Sequence, residues 1–389
     1  MIATLVVPTV AQGVIIRRPA MTAAAARLDL DGRAVRLLRG LREKYGKGPL
    51  LVPIPLRPFA LVLSPGDVRR VLSESPEPFA LDSREKRAAL AHFEPGAVLV
   101  SHGRRRSELR SLNERLLDPG RHGERHAAVV RAEIAPLLDL DTLTWDDFAP
   151  AWWRAVRRIV LGHGARHDER LTGLLARLRS DGNWSYAKPR RHRLRREFAE
   201  RLSEHVARHE AGSLVESGDV DTLAGQAPHW LFAYDAAGAA IFRALALLSV
   251  HPGPHDPRAA VLESLRLWPT TLVILRDSTT ATGWDGGPAP RQTPFVIYSP
   301  FANRDHPAGG RYTPGLWQGA EPDWPIVPFS RGPGACPGRD LVLLTASAAL
   351  ETLAAGRHRL LTPRLDPGRE LPYGLDHFAI RFGRQGGPS

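Results

Sequence analysis

The sequence predicts a mainly helical protein carrying small β-sheets. Three observations predict it: long charged stretches with helical spacing, one extended apolar segment over residues 223–250, and only short runs rich in β-branched and aromatic residues. The 389 residues are 43% hydrophobic and 24% charged, an ordinary globular balance with length enough for a large core. No repeat and no compositional break marks a second domain. One domain over 1–389 is expected, with the first ~25 residues irregular.

The elements follow in order. LVPIPLRPFALVLSPGDVRRVLSES (50–74) holds two extended segments, with SPGD as the turn into a helix. Residues 104–137 form charged helix. WDDFAPAWWRAVRRIVLG, from Trp145, has the apolar spacing of a buried helix face, and 191–212 is again helical and highly charged. Residues 223–250 are apolar or aromatic almost all round, as in a helix running through a core. HPGPHDP stops it, and VLESLRLW (261–268) is a further helix ended by Pro269. Residues 270–330 are irregular, with strands at TLVIL (271–275) and PFVIYS (294–299). RDLVLLTASAALETLAAG (339–356) is a helix closed by Gly356, and HFAIRF (377–382) a last strand.

Charge and cysteine usage exclude several functions. The net charge is +12, and its basic residues cluster in HGRRRSELR (102–110), WWRAVRR (152–158) and KPRRHRLRR (188–196). Aromatics are not interleaved there as stacking platforms would require, so a docking face for an acidic protein or a plain arginine-rich surface is expected and nucleic acid is not. Apolar runs such as 341–350 and 244–250 are too short to cross a bilayer, and the N-terminus lacks the basic start of a secretion signal. A cytoplasmic monomer is expected. One cysteine rules out an internal disulfide, an all-cysteine zinc site and a two-cysteine redox couple.

That cysteine sits in PFSRGPGACPGRD (328–340), with Gly332 and Gly334 before it and Gly338 after it. A thiolate is a strong ligand and nucleophile, and the glycines let the loop bend closely around the sulfur. The loop alone is equally compatible with a packed structural cysteine. Glu263 and Arg266, three apart on one helix face and flanked by Val261, Leu262, Leu265, Leu267 and Trp268, change that balance. A pair in apolar surroundings is a strut whose breakage costs about 3–5 kcal/mol.

Together these motifs resemble the cytochrome P450 family of haem-thiolate monooxygenases. Phe329, Gly332, Cys336 and Gly338 match the family's haem-ligand loop, and Glu263 and Arg266 match its helical Glu-x-x-Arg pair. NRDHP (303–307) and YTPGLW (312–317) resemble the meander before the loop, and 223–250 the long helix over the distal haem face. The resemblance covers nearly the whole chain in order. It implies heme b (iron protoporphyrin IX) with Cys336 as the axial ligand, whose thiolate donates electron density to the metal.

Four departures stand out. Counting back from HPG at 251–253, Asp235 takes the place of the family's proton-delivering acid, but Ala236 that of its Thr. Ala237 and Ala240 supply no hydroxyl, and no Ser or Thr lies between His229 and Leu248. Gly334 stands where the family often binds a haem propionate with Arg or His; Arg276, Arg106 and Arg110 match other propionate-binding positions. Leu316 replaces the meander Arg, for which Arg304 or Arg311 are the substitutes at hand. WPIVP (324–328) indicates only packing.

The resemblance implies a bacterial, soluble oxidoreductase. It would insert oxygen from O2 into a small organic substrate, with electrons from NAD(P)H through an acidic ferredoxin or flavodoxin. Substrate contacts are expected from Phe79, Phe93, Phe232, Tyr234, Ala237, Thr270, Thr271 and Val273. The missing Thr keeps two alternatives open: a peroxide-dependent or non-oxidative (rearranging or dehydrating) haem-thiolate enzyme, and a non-catalytic haem sensor or carrier.

Overall fold

The computed structural model describes residues 1–46, 48–54, 57–319 and 322–384. Two compact units divide the chain: residues 1–87, 265–336 and 367–375 form one, and 88–264, 337–366 and 376 onward the other. Among the described residues the strands are β1 Leu50–Val52, β2 Phe59–Leu61, β3 Phe79–Ala80, β4 Thr142–Thr144, β5 Val273–Ser278, β6 Pro294–Tyr298, β7 His358–Thr362 and β8 Arg381–Arg384. Everything else regular is helical, including a short turn at His377–Ala379 where HFAIRF reads as strand.

The first unit is built on a five-stranded sheet of order β1-β2-β6-β5-β3. β2 and β6 run parallel, with Ala60 opposite Phe295, and the other pairs are antiparallel. Alternation along the strands feeds two cores. Ala60, Phe295 and Ile297 face one cluster with Val68, Val71 and Leu72 of helix Pro65–Ser73. Phe59, Leu61 and Tyr298 face the other, with Ala34, Val35 and Leu38 of helix Leu30–Tyr45. Helix Pro65–Ser73 starts as the SPGD turn predicts, since Ser64 Oγ accepts from the Asp67 amide at 3.1 Å.

The N-terminus differs from expectation. Helices Val7–Gln12 and Pro19–Arg27 replace the irregular start. A buried cluster holds them: Gln12 Nε2 and the Tyr298 hydroxyl both donate to Asp31, at 3.0 and 2.8 Å, and Arg17 donates to the Thr270 carbonyl at 2.8 Å.

The second unit is helical, with a small antiparallel sheet of order β4-β8-β7. Its axis is helix Val220–Val250, capped by Asp219, which accepts from the Thr222 amide at 2.8 Å. Helices Trp145–Leu161 and Arg339–Ala355 pack against it, and Pro119–Ile134 packs against those two. Among the described residues this is the one helix long and apolar enough to cross a membrane. The 18-residue apolar window in question is 72% buried inside the protein, so its apolar surface forms the core of its unit.

The basic run 152–158 is not a docking face. Arg157 is buried, donating to the Arg166 carbonyl at 2.9 Å and to Thr172 at 3.1 Å. Arg154 and Arg158 are drawn, with Arg166, onto the buried carboxylate of Glu133 at 3.0, 2.9 and 2.6 Å. Desolvation here is offset by pairing, and the run is internal scaffolding.

Candidate functional site

The cysteine loop is shaped by backbone constraints. The Cys336 amide donates to the Phe329 carbonyl and the Ala335 amide to the Gly332 carbonyl, both at 2.9 Å, which folds 329–336 into a tight bend. Gly332 has φ +66° and lies directly on the Leu72 carbonyl, where a Cβ would collide with backbone. Phe329 and Cys336 are half-buried. Gly338 then opens helix Arg339–Ala355, its carbonyl accepting from the Val342 amide at 2.9 Å.

The space beside Gly334 belongs to Arg276. A Cβ at 334 would overlap the Arg276 guanidinium and Leu81. Arg276, on β5, is 2% exposed and donates to Ser75 Oγ at 3.2 Å, Ser330 Oγ at 3.3 Å and the Leu275 carbonyl at 2.9 Å. The cation absent from position 334 therefore reaches the loop from a neighbouring strand. Arg106 and Arg110 lie one turn apart on helix Gly103–Leu116. Arg106 donates to the Val98 carbonyl at 3.1 Å, and Arg110 pairs with Glu114 at 2.6 Å.

Glu263 and Arg266, on helix Pro257–Leu267, are both 0% exposed, so neither is a surface charge. Arg266 donates to the Gly309 and Arg311 carbonyls at 2.7 and 2.6 Å. Arg311 thus contributes its backbone, and its own residue surface is exposed. Arg304, unlike Arg311, is buried. It binds the Leu267 carbonyl at 2.8 Å, Leu371 at 2.8 Å and Pro372 at 2.6 Å, and lies 4.3 Å from the Tyr373 ring. Burial, partly offset by Tyr373 and reinforced by Arg266, pushes its pKa down to about 10, so it stays charged. Leu316 is half-buried in a short turn, Pro314–Trp317.

On helix Val220–Val250 the half-exposed positions include His229, Phe232, Ala233, Asp235 and Ala236, while Ala237 is buried. Asp235 Oδ2 accepts from the buried Arg179 at 2.9 Å. The Arg179 guanidinium also lies 4.4 Å from the Phe232 ring, and Phe93 meets Phe232 edge-on at 6.2 Å. His229 Nδ1 lies 3.1 Å from Oε1 of the buried Glu94. Sequence reasoning passed over Arg179, Glu94 and His229, since nothing in a single sequence pairs residues so far apart.

Other expected substrate contacts lie elsewhere. Phe79 is fully buried in the sheet core, edge-on to Phe295 at 5.0 Å, where packing accounts for it. Tyr234 is buried on another face of its helix, 5.9 Å from the Trp152 ring, and burial drives its hydroxyl pKa upward. Thr271 is exposed and Thr270 half-exposed; Val273 packs at the edge of the cluster containing Leu272.

No family model matches the chain. A curated relative, the cytochrome P450 monooxygenase apdE of Emericella nidulans, is 33% identical over 110 residues, spanning 24% of this chain and 21% of its own length. Similarity to solved structures is far more extensive. P450BioI, in complex with hexadec-9Z-enoic acid ligated acyl carrier protein, matches with a TM-score of 0.71 at 16% identity, covering 93% of this chain and 100% of that one. CYP175A1 from Thermus thermophilus gives 0.70 at 21% identity, covering 92% and 96%. A mutant of cytochrome P450SP alpha gives 0.68 at 16%, covering 90% and 95%. The chain has the cytochrome P450 fold.

Proposed function

We propose that the protein is a haem-thiolate oxidoreductase that inserts oxygen from O2 into a small organic substrate. Electrons would come from NAD(P)H through an acidic ferredoxin or flavodoxin, in a bacterial, cytoplasmic, monomeric enzyme whose two units work as one domain. The observation that carries the reading is the Cys336 loop. Its donor set is one thiol in a bend that glycines alone allow, with a buried guanidinium against it, and these residues fit heme b. Cys336 would ligate the iron, Phe329, Gly332 and Gly338 would shape the loop, and Arg276, Arg106 and Arg110 would hold the propionates. When bound, the haem supplies the oxygen-activating chemistry.

The chain's own residues then bind, orient and move protons. Glu263 and Arg266 brace the segment before the loop. Asp235 would be the proton-carrying acid on the long helix, with Oδ2 accepting from Arg179. Ala236 has no hydroxyl to share that task. This combination favours, as a second reading, a peroxide-dependent or non-oxidative haem-thiolate enzyme that needs no electron donor.

Carbon monoxide added to the reduced protein tests the first claim. A thiolate-type Soret band is expected, and Cys336→Ser should abolish it. An unchanged haem spectrum in that variant overturns the ligand assignment. Turnover with a reductase system against turnover with peroxide separates the two readings.

A further inference from the structure

Residues 93–98 are fixed to the long helix by buried amides. Gln226 donates through Nε2 to the Gly96 carbonyl at 2.9 Å and accepts through Oε1 from the Val98 amide and Asn113 Nδ2, both at 3.2 Å. Asn113 Oδ1 in turn accepts from Trp230 Nε1 at 2.7 Å. This frame holds Glu94, 1% exposed, against His229, three residues after Gln226 on the same helix. Glu94 Oε2 is buried without a partner.

A carboxylate only accepts, so the 3.1 Å contact places a hydrogen on Nδ1, and in that tautomer of the imidazole Nε2 is an acceptor. Among the described residues nothing is bonded to Nε2, and the His229 side chain is 25% exposed. Phe232 lies edge-on to the imidazole at 5.4 Å, and Ala233 and Ala236 continue the half-exposed stripe at helical spacing. His229 is the one polar side chain among these four positions; Asp235 beside them is paired with Arg179. Covering the stripe with a purely apolar molecule would leave Nε2 unsatisfied, whereas a ligand with a matching donor would not.

We infer that His229, positioned by Glu94, is a specificity-determining residue: its Nε2 accepts a hydrogen bond from a hydroxyl or N–H group on a ring-bearing, otherwise apolar substrate. The ring would pack on Phe232 and Ala233. This rests on the haem-thiolate reading and adds the substrate class to it.

Holoenzyme titrated with 2-naphthol against naphthalene, and 4-hydroxybiphenyl against biphenyl, tests it by calorimetry and by the haem spin shift. The hydroxylated member of each pair should bind about tenfold tighter, the equivalent of one hydrogen bond. His229→Phe should reduce that ratio to near one while the parent hydrocarbons keep their affinity. His229→Gln, which places an acceptor in about the same position, should recover part of the ratio. Glu94→Gln releases the tautomer and should lower the ratio too. An unchanged ratio in His229→Phe, or no binding by either member of both pairs, overturns the inference. The carbon monoxide spectrum of each variant reports the haem-thiolate reading separately. Selectivity by calorimetry without a thiolate band would overturn that reading alone, and a thiolate band without selectivity would overturn only the role of His229.

Discussion

Gly334→Ala and Arg276→Ala, made singly and together, decide whether the Arg276 guanidinium occupies the space a side chain at position 334 would take. Gly334 does not have a left-handed φ, so alanine there carries no backbone strain, and only space is at issue. A Gly→Ala change in open space would stabilise by about 0.4–1 kcal/mol through the unfolded chain. Here the new methyl overlaps the guanidinium and Leu81, and overpacking costs about 1–3 kcal/mol. A net loss of about 1–2 kcal/mol is expected. Arg276→Ala removes bonds to Ser75, Ser330 and the Leu275 carbonyl, at about 1 kcal/mol each, for a loss of about 3 kcal/mol. In the double variant the methyl enters space the guanidinium has left. The combined loss should therefore fall short of the sum by about 1 kcal/mol. Urea unfolding followed by circular dichroism, with haem content measured in parallel, reads all four corners of the cycle. Losses that add to within about 0.5 kcal/mol would refute the shared space.

Two further predictions concern the second unit. Burial alone would raise the Glu133 pKa, but hydrogen bonds from Arg166, Arg154 and Arg158 outweigh it and lower the value from 4.5 to about 2. That stabilisation, about 3 kcal/mol, is complete above pH 4.5 and lost as pH falls toward 2. Glu133→Gln should remove it at pH 7 and flatten the acid limb of stability; parallel acid limbs in the two proteins would show that the network is not an ionic anchor. Ala236→Thr should raise the fraction of electrons coupled to product in a reductase system, because a hydroxyl joins Asp235 on the half-exposed face. No change with either a reductase or peroxide counts against the monooxygenase reading.

Much of the fold is legible in residue patterns. The apolar surface nearly all round 223–250, the stop at HPGPHDP and the apolar run PFVIYS correspond to helix Val220–Val250 and strand β6. The N-terminal helices escape because MIATLVVPTVAQ carries no amphipathic signal; Asp31 and, far along the chain, Tyr298 and Thr270 hold them. The basic run at 152–158 misleads for the same reason. Its neutralising carboxylate, Glu133, belongs to another helix, and a charge run shows its sign without showing its partner. Phe79 and Tyr234 show the limit for aromatics, since a large ring serves a core and a pocket equally well in sequence.

Both departures near the motifs have one physical form. Position 334 is glycine, and the Arg276 guanidinium from β5 fills that space; position 316 is leucine, and Arg304 is buried near Arg266. On the haem-thiolate reading, each charge would be kept while its address in the sequence moves. Residue-by-position patterns fail on such a chain, and no family model matches it, yet its backbone follows whole cytochrome P450 structures at 16–21% identity. Ala236 breaks that form. The long helix has no Ser or Thr between His229 and Leu248, the Tyr234 hydroxyl there is buried, and Arg179 donates to Asp235. On the haem-thiolate reading, a hydroxyl to work with Asp235 would then come from water or from the substrate. A substrate whose hydroxyl is held on His229 Nε2 would bring such a group to the helix. The selectivity of His229 and the tolerance of alanine at 236 are, on that account, two consequences of one choice of substrate.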